Sequence, residues 1–148
     1  MVLKFKLELE KRKIKLGESI PVKVTLSNSG DRKVRVCTIW QPDVNVKFEI
    51  VTSGREVESL EAETDFISPR MGDFKLMKKG QKISKEFNLA KVMNIDEPGE
   101  YSIKAFYKNM YNYYYKKPET LREFLEKVKL EDVSGEIIGS NSVKLKVE

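Results

Sequence analysis

The sequence predicts an all-β chain folded as an antiparallel sandwich, and three observations predict it. Apolar and polar residues alternate with a period of two through most of the chain, the pattern of strands with one dry face and one wet face. The alternating runs are short, eight or nine of them at spacings of 8 to 20 residues, and hairpin-type turn clusters separate them. Crossover helices of the kind a parallel α/β sheet needs are missing between them.

Each element follows in order. Leu3, Phe5, Leu7 and Leu9 share one side of a first strand, with Lys4, Lys6 and Glu8 on the other, and a short run of Ile14 and Leu16 ends at Gly17. Ile20, Val22, Val24 and Leu26 alternate up to Asn28-Ser29-Gly30-Asp31, whose residues tolerate positive φ or bond their own backbone. Pro21 lacks an N–H donor, which confines it to an edge or to the first position of that strand. Val34, Val36 and Trp40 alternate next, with Cys37 and Ile39 making the opposite side apolar too, until Pro42. Val44, Val46, Phe48 and Ile50 form the following strand, and Ser53-Gly54 turns the chain into Arg55–Leu60. The stretch EAETDFISPR is acidic and aperiodic, hence a long loop. Phe74 and Leu76 lead to a turn at Lys79-Gly80; Ile83, Phe87 and Leu89 resume alternation, interrupted by Lys85. Tyr101, Ile103, Ala105 and Tyr107 form one late strand, and Val143, Leu145 and Val147 the last.

One segment breaks the pattern. Leu121, Phe124, Leu125 and Val128 fall at i, i+3, i+4 and i+7, a single stripe of a helix. Pro118 suits the first turn, where its missing donor is harmless, and Glu123 and Lys127 form an i,i+4 pair. The spacing predicts a short helix over about 118–130, inserted between the last two strands.

Composition bounds the rest. A chain of 148 residues fits one domain, residues 1–148, with one core. Its single cysteine forms no internal disulfide, so packing alone must hold the fold. The formal charge of +5 is a mild bias toward anionic partners. The 34% of charged residues, rich in Lys and Glu and with no His, is like that of proteins from hot environments. No apolar run approaches the roughly 20 residues that cross a bilayer, and MVLKFKLELE alternates from the start where a secretory leader has an apolar core. The expectation is a soluble chain without membrane insertion; compartment and oligomeric state leave no mark in the pattern.

The segment LMKKGQKISKEFNLAKVMNIDEPGEYSIKAFY carries a resemblance. Its lysine- and glycine-marked turn, strand, and Glu97-Pro98-Gly99-Glu100-Tyr101-Ser102-Ile103 resemble the corner between strands E and F of immunoglobulin-like domains. Tyr101 would then be the corner tyrosine that bonds back to the preceding loop. Ile103 would stand where antibody domains carry a cysteine, placing the chain among disulfide-free relatives. LGESIPVKVTLSNSG and GSNSVKLKV resemble the first core strand and last strand of bacterial and archaeal immunoglobulin-like modules. The order of features is also similar to intracellular proteinase inhibitors of the BsuPI type. The resemblance implies an immunoglobulin-like sandwich whose F to G connection holds the helix and a tyrosine cluster.

Catalytic chemistry has little to build on. Without His, the commonest general base, metal ligand and triad partner is absent, and one cysteine builds no zinc site. Cys37, inside VRVCTIW, has the surroundings of a small core hydrophobe, not of a stabilised thiolate. Glu56, Glu58, Glu61, Glu63 and Asp65 lie in a solvated stretch where nothing separates their pKa values; a calcium loop and a charged guard of a strand edge are the two readings. Lys75, Lys78, Lys79, Lys82, Lys85 and Lys91 make the most basic segment, either an anion site or the wet face of a strand. No cofactor, metal or enzymatic activity is expected.

The working surface read from the sequence is Tyr111, Asn112, Tyr113, Tyr114, Tyr115, Lys116 and Lys117. Four tyrosines fall within five residues there. Tyrosine offers a large rigid contact at low entropic cost and a hydroxyl, as in recognition loops. The expected function is a non-enzymatic binding module that meets a protein partner, with a carbohydrate or nucleic acid as the other ligand such rings would stack on. A proteinase inhibitor presenting a rigid loop is the alternative function. The competing structural account packs these rings between the inserted helix and the sheet.

Overall fold

A computed structural model describes residues 3–42, 45–60, 73–108 and 137–148. In chain order its strands are β1 (Leu3–Leu9), β2 (Lys13–Ile14), β3 (Pro21–Asn28), β4 (Val34–Cys37) and β5 (Val46–Thr52). They continue with β6 (Arg55–Glu56), β7 (Phe74–Met77), β8 (Lys82–Asn88), the helical turn α1 (Leu89–Val92), β9 (Gly99–Lys108) and β10 (Ile137–Val147). One sheet has the order β1-β3-β8; a second has the order β2-β10-β9-β5-β6; β4 and β7 pair as a separate ribbon. These layers form the expected all-β sandwich.

The alternation read from the sequence is the alternation of burial. Leu3, Phe5 and Leu7 of β1, with Val22, Val24 and Leu26 of β3, face Val46, Phe48 and Ile50 of β5 and Tyr101, Ile103, Ala105 and Tyr107 of β9 in one core. Each fully buried large aliphatic side chain contributes about 1.5–3 kcal/mol, so the two inner faces hold the layers together without a disulfide. Ile103, in the position the resemblance gives to a cysteine, is fully buried and stands beside Ile50 and Val143 in register. Pro21 takes the first position of β3, where its missing donor costs no ladder bond.

The departures have local causes. After Leu9 the chain crosses between the sheets, and Lys13–Ile14 pair in parallel with Lys146–Val147, beside the antiparallel ladder of β9 and β10. Leu16 is exposed, so that short run ends at Ile14. β4 stops at Cys37; Trp40 lies in the following loop with its ring buried and its Nε1 donating to the Cys37 carbonyl at 2.9 Å. Leu89 does not continue β8 but opens α1, because the Asn88 side chain accepts a hydrogen bond from the Ala90 N–H and caps a helical turn. The helix expected over 118–130 lies outside the described residues; α1, between β8 and β9, is the helix among them.

Two irregularities set geometry. Ser53 and Gly54, both with positive φ (50° and 72°), join β5 to β6 by the tight hairpin turn that needs two such residues. In β10 the register slips between Gly139, opposite Phe106, and Ser142, opposite Lys104, so two residues face Ala105. The Ala105 N–H finds a substitute acceptor in Ser140 Oγ at 2.8 Å.

Candidate binding surface

The tyrosine-rich segment Tyr111–Lys117 lies outside the described residues; the stem that bears it is described. β9 and β10 run antiparallel up to Tyr107 opposite Ile138 and Lys108 opposite Ile137. Beneath this end lies an aromatic cluster: Phe5, Trp40 and Tyr107 have ring centroids 5.4 to 5.8 Å apart, spacings at which aromatic pairs attract beyond their burial. Tyr107 Oη donates to the Cys37 carbonyl at 3.4 Å. The buried Asn45 closes the adjoining loop: Nδ2 donates to the Ile39 carbonyl at 2.8 Å, Oδ1 accepts from the Gln41 N–H at 2.7 Å, and its carbonyl accepts from the Lys108 N–H at 2.8 Å. So two of the six tyrosines, Tyr101 and Tyr107, belong to the core.

The outer face of the larger sheet leads away from this stem. Lys47, Phe106 and Gly139 form one cross-strand row, Glu49, Lys104 and Ser142 the next, and Val51, Ser102 and Lys144 a third. Phe106 is only half-buried, and Lys104 Nζ sits 5.2 Å from its ring centroid, a cation–π contact. These residues were not singled out from the sequence, although Lys104-x-Phe106-x-Lys108 shows an aromatic on the wet side of a strand.

At the opposite end the corner tyrosine is in place: Tyr101 Oη donates to the Glu97 carbonyl at 2.5 Å. Beside it a cleft of about 290 Å³ is lined by Arg55, Glu56, Val57, Glu58, Asn94, Asp96 and Tyr101, and Arg55 pairs with Glu97 across the exposed rim. Glu56 and Glu58 are exposed, while Glu61, Glu63 and Asp65 lie outside the described residues. Among the described residues no group of three or more metal-ligating side chains comes together.

The lysines of residues 75–91 are spread over several elements. Lys75 is on β7, Lys78 and Lys79 are in the turn before β8, Lys82 and Lys85 are on β8, and Lys91 is in α1; Lys79 pairs with Asp31 at 2.8 Å. Cys37 is buried, its thiol donating to the Ile39 carbonyl at 3.3 Å. Burial pushes its pKa up, and Asp73 adds to the rise. A thiol held protonated is a poor nucleophile.

The split first strand, the E to F tyrosine corner and the two facing sheets define an immunoglobulin-like β-sandwich module without a disulfide. No protein-family model matches the sequence, and no curated protein matches it. Among solved structures the chain is similar to a CARDB domain from Pyrococcus furiosus, described as a complex with di-metal ions. The two share 10% sequence identity at a TM-score of 0.45, over 98% of this chain and 91% of that one.

Proposed function

We propose that this chain is a single non-enzymatic binding module, residues 1–148, whose F to G insertion contacts a protein partner through Tyr111, Asn112, Tyr113, Tyr114, Tyr115, Lys116 and Lys117. The observation that supports this reading is the stem. β9 and β10 remain paired to Lys108 and Ile137, and the rings of Phe5, Trp40 and Tyr107 with the Asn45 bonds brace that end. A braced stem lowers the entropy lost when a recognition segment mounted on it engages a partner. The two tyrosines of the described core, Tyr101 and Tyr107, both come from β9.

The test replaces Tyr113, Tyr114 and Tyr115 together with Ala. Under this reading the thermal midpoint stays within about 2 °C of the parent, less than a loss of 1 kcal/mol would cause. The same variant loses the partner that the parent protein retains and that purified binding confirms. A fall of more than about 10 °C would make the rings scaffolding and end the proposal. Inhibition of any protease in a broad panel at micromolar protein would favour the proteinase-inhibitor function instead.

A further inference from the structure

The outer face of the five-stranded sheet carries a charge pattern that its inner packing does not require. On β5, β9 and β10 that face presents Lys47, Lys104, Lys108, Lys144 and Lys146 against Glu49 and Glu100, five cations to two anions. Among the described residues none of these five lysines is held in an ion pair. Phe106 lies among them, half-buried on the side of β9 where its neighbours are polar. Beside it, Gly139 lets Lys104 and Phe106 pack close to the backbone: a Cβ there would come within 3.1 Å of Lys104 Cε and 3.3 Å of Phe106 Cε1. Lys104 passes over Gly139 and the ring. The outer face of the other sheet gives the contrast, with Lys4, Lys6, Lys23 and Lys82 set against Glu8 and Glu86, the Lys6–Glu8 pair closed at 2.9 Å, and no aromatic.

From this juxtaposition we propose that the face binds single-stranded nucleic acid without sequence preference, Lys47, Lys104, Lys108 and Lys144 meeting phosphates and Phe106 stacking on a base. An aromatic ring flanked by lysines on an open sheet is the combination such binding uses: the cations track the backbone, and every base has a face to stack. A phosphate draws the Lys104 ammonium off the ring, and a base stacks on Phe106 in its place. The partner and surface differ from those of the tyrosine insertion, so either proposal can fail alone.

Fluorescence anisotropy with a labelled oligothymidylate of about 20 nucleotides tests it. The intact chain is expected to bind at low salt, with log K falling against log salt at a slope of about −3 for four phosphate contacts. Lys47→Glu with Lys108→Glu should weaken binding at least about tenfold, since charge now repels phosphate. Lys4→Glu with Lys82→Glu, an identical charge change on the other sheet, should cost less than about threefold if the face matters more than net charge. Phe106→Leu should cost roughly 5- to 100-fold through lost stacking. Thermal melts accompany each variant, and Lys47→Gln with Lys108→Gln replaces the first pair if it does not fold. No binding to the oligonucleotide, equal losses from both charge-reversed pairs, or full affinity in Phe106→Leu each overturns the proposal. Binding of heparin without binding of the oligonucleotide also overturns it, in favour of an acidic polysaccharide.

Discussion

The side chain of Asn141 bonds both backbone groups of Leu7: Oδ1 accepts from the Leu7 N–H at 2.9 Å, and Nδ2 donates to the Leu7 carbonyl at 3.0 Å. Asn141 is one of the two bulge residues opposite Ala105. Its amide thereby stands in for a neighbouring strand at the edge of β1 and links the two sheets where no backbone ladder does. Removing it leaves a donor and an acceptor of Leu7 without their partner. Asn141→Ala is expected to cost about 1–3 kcal/mol, and Asn141→Asp, which keeps an acceptor but loses the donor, is expected to fall short of full stability. Urea unfolding of the three proteins checks the order; an Ala variant as stable as the parent would remove the amide from the account of sheet closure.

Tyr101 makes the corner bond to Glu97, and its phenol is held above its ordinary pKa chiefly by burial, with Glu97 and Asp96 adding to the rise. The native state therefore keeps a proton that the unfolded chain releases near pH 10. This contribution to stability is intact below about pH 10 and declines as pH rises through the native pKa. Tyr101→Phe should cost about 1 kcal/mol at neutral pH through the lost hydrogen bond. It should also flatten the alkaline decline, so the two proteins converge in stability between about pH 9 and 11. Melting curves across that range decide it; parallel curves would assign the decline to other groups.

Cys37 gives a kinetic prediction. Its Sγ is buried, and its carbonyl accepts from both Trp40 Nε1 and Tyr107 Oη. Reaction with a disulfide reagent requires a thiolate and an open path. Labelling at pH 8 is expected to run at least about a hundredfold slower than in denaturant, because it waits on opening of the packed end. Labelling at the rate of a free thiol would contradict the packing described for β4.

Much of this fold was legible because burial on one face leaves a period of two in the text, as in Leu3, Phe5 and Leu7 or Tyr101, Ile103 and Ala105. The bulge left a trace as well: Ile138 and Ser140 are buried at even positions, Leu145 and Val147 at odd ones, and one extra residue accounts for the change of phase. Other features were hidden. The cap that turns Leu89 into a helix uses an Asn88 side chain that also accepts from the Ile20 N–H at 2.8 Å, a contact 68 residues away in sequence. The basic face with Phe106 depends on register among β5, β9 and β10, and alternation within one strand says nothing about which strand lies beside it. The corner tyrosine could be named in advance through the resemblance, which a short local motif carries: its partner is only four residues upstream.

Lys85 bears on whether β8, the outer strand of the smaller sheet, accepts a further strand. β8 pairs with β3 on one side only, and among the described residues no strand covers the other. Within it Ile83 and Phe87 face the core, and Lys85, between them and opposite the fully buried Val24, belongs to the same face yet is exposed. An inward-directed charge on an edge strand is tolerated in a monomer, where the long side chain reaches water past the rim. It opposes a second strand docking alongside, which would bury the ammonium. Lys85→Val places a valine between Ile83 and Phe87, making that row apolar without a break, and removes the barrier. The variant is expected to keep or slightly raise its thermal midpoint while associating at concentrations where the parent does not, which size-exclusion chromatography with light scattering measures. Association of both proteins to the same degree would show that the lysine is not what guards this edge.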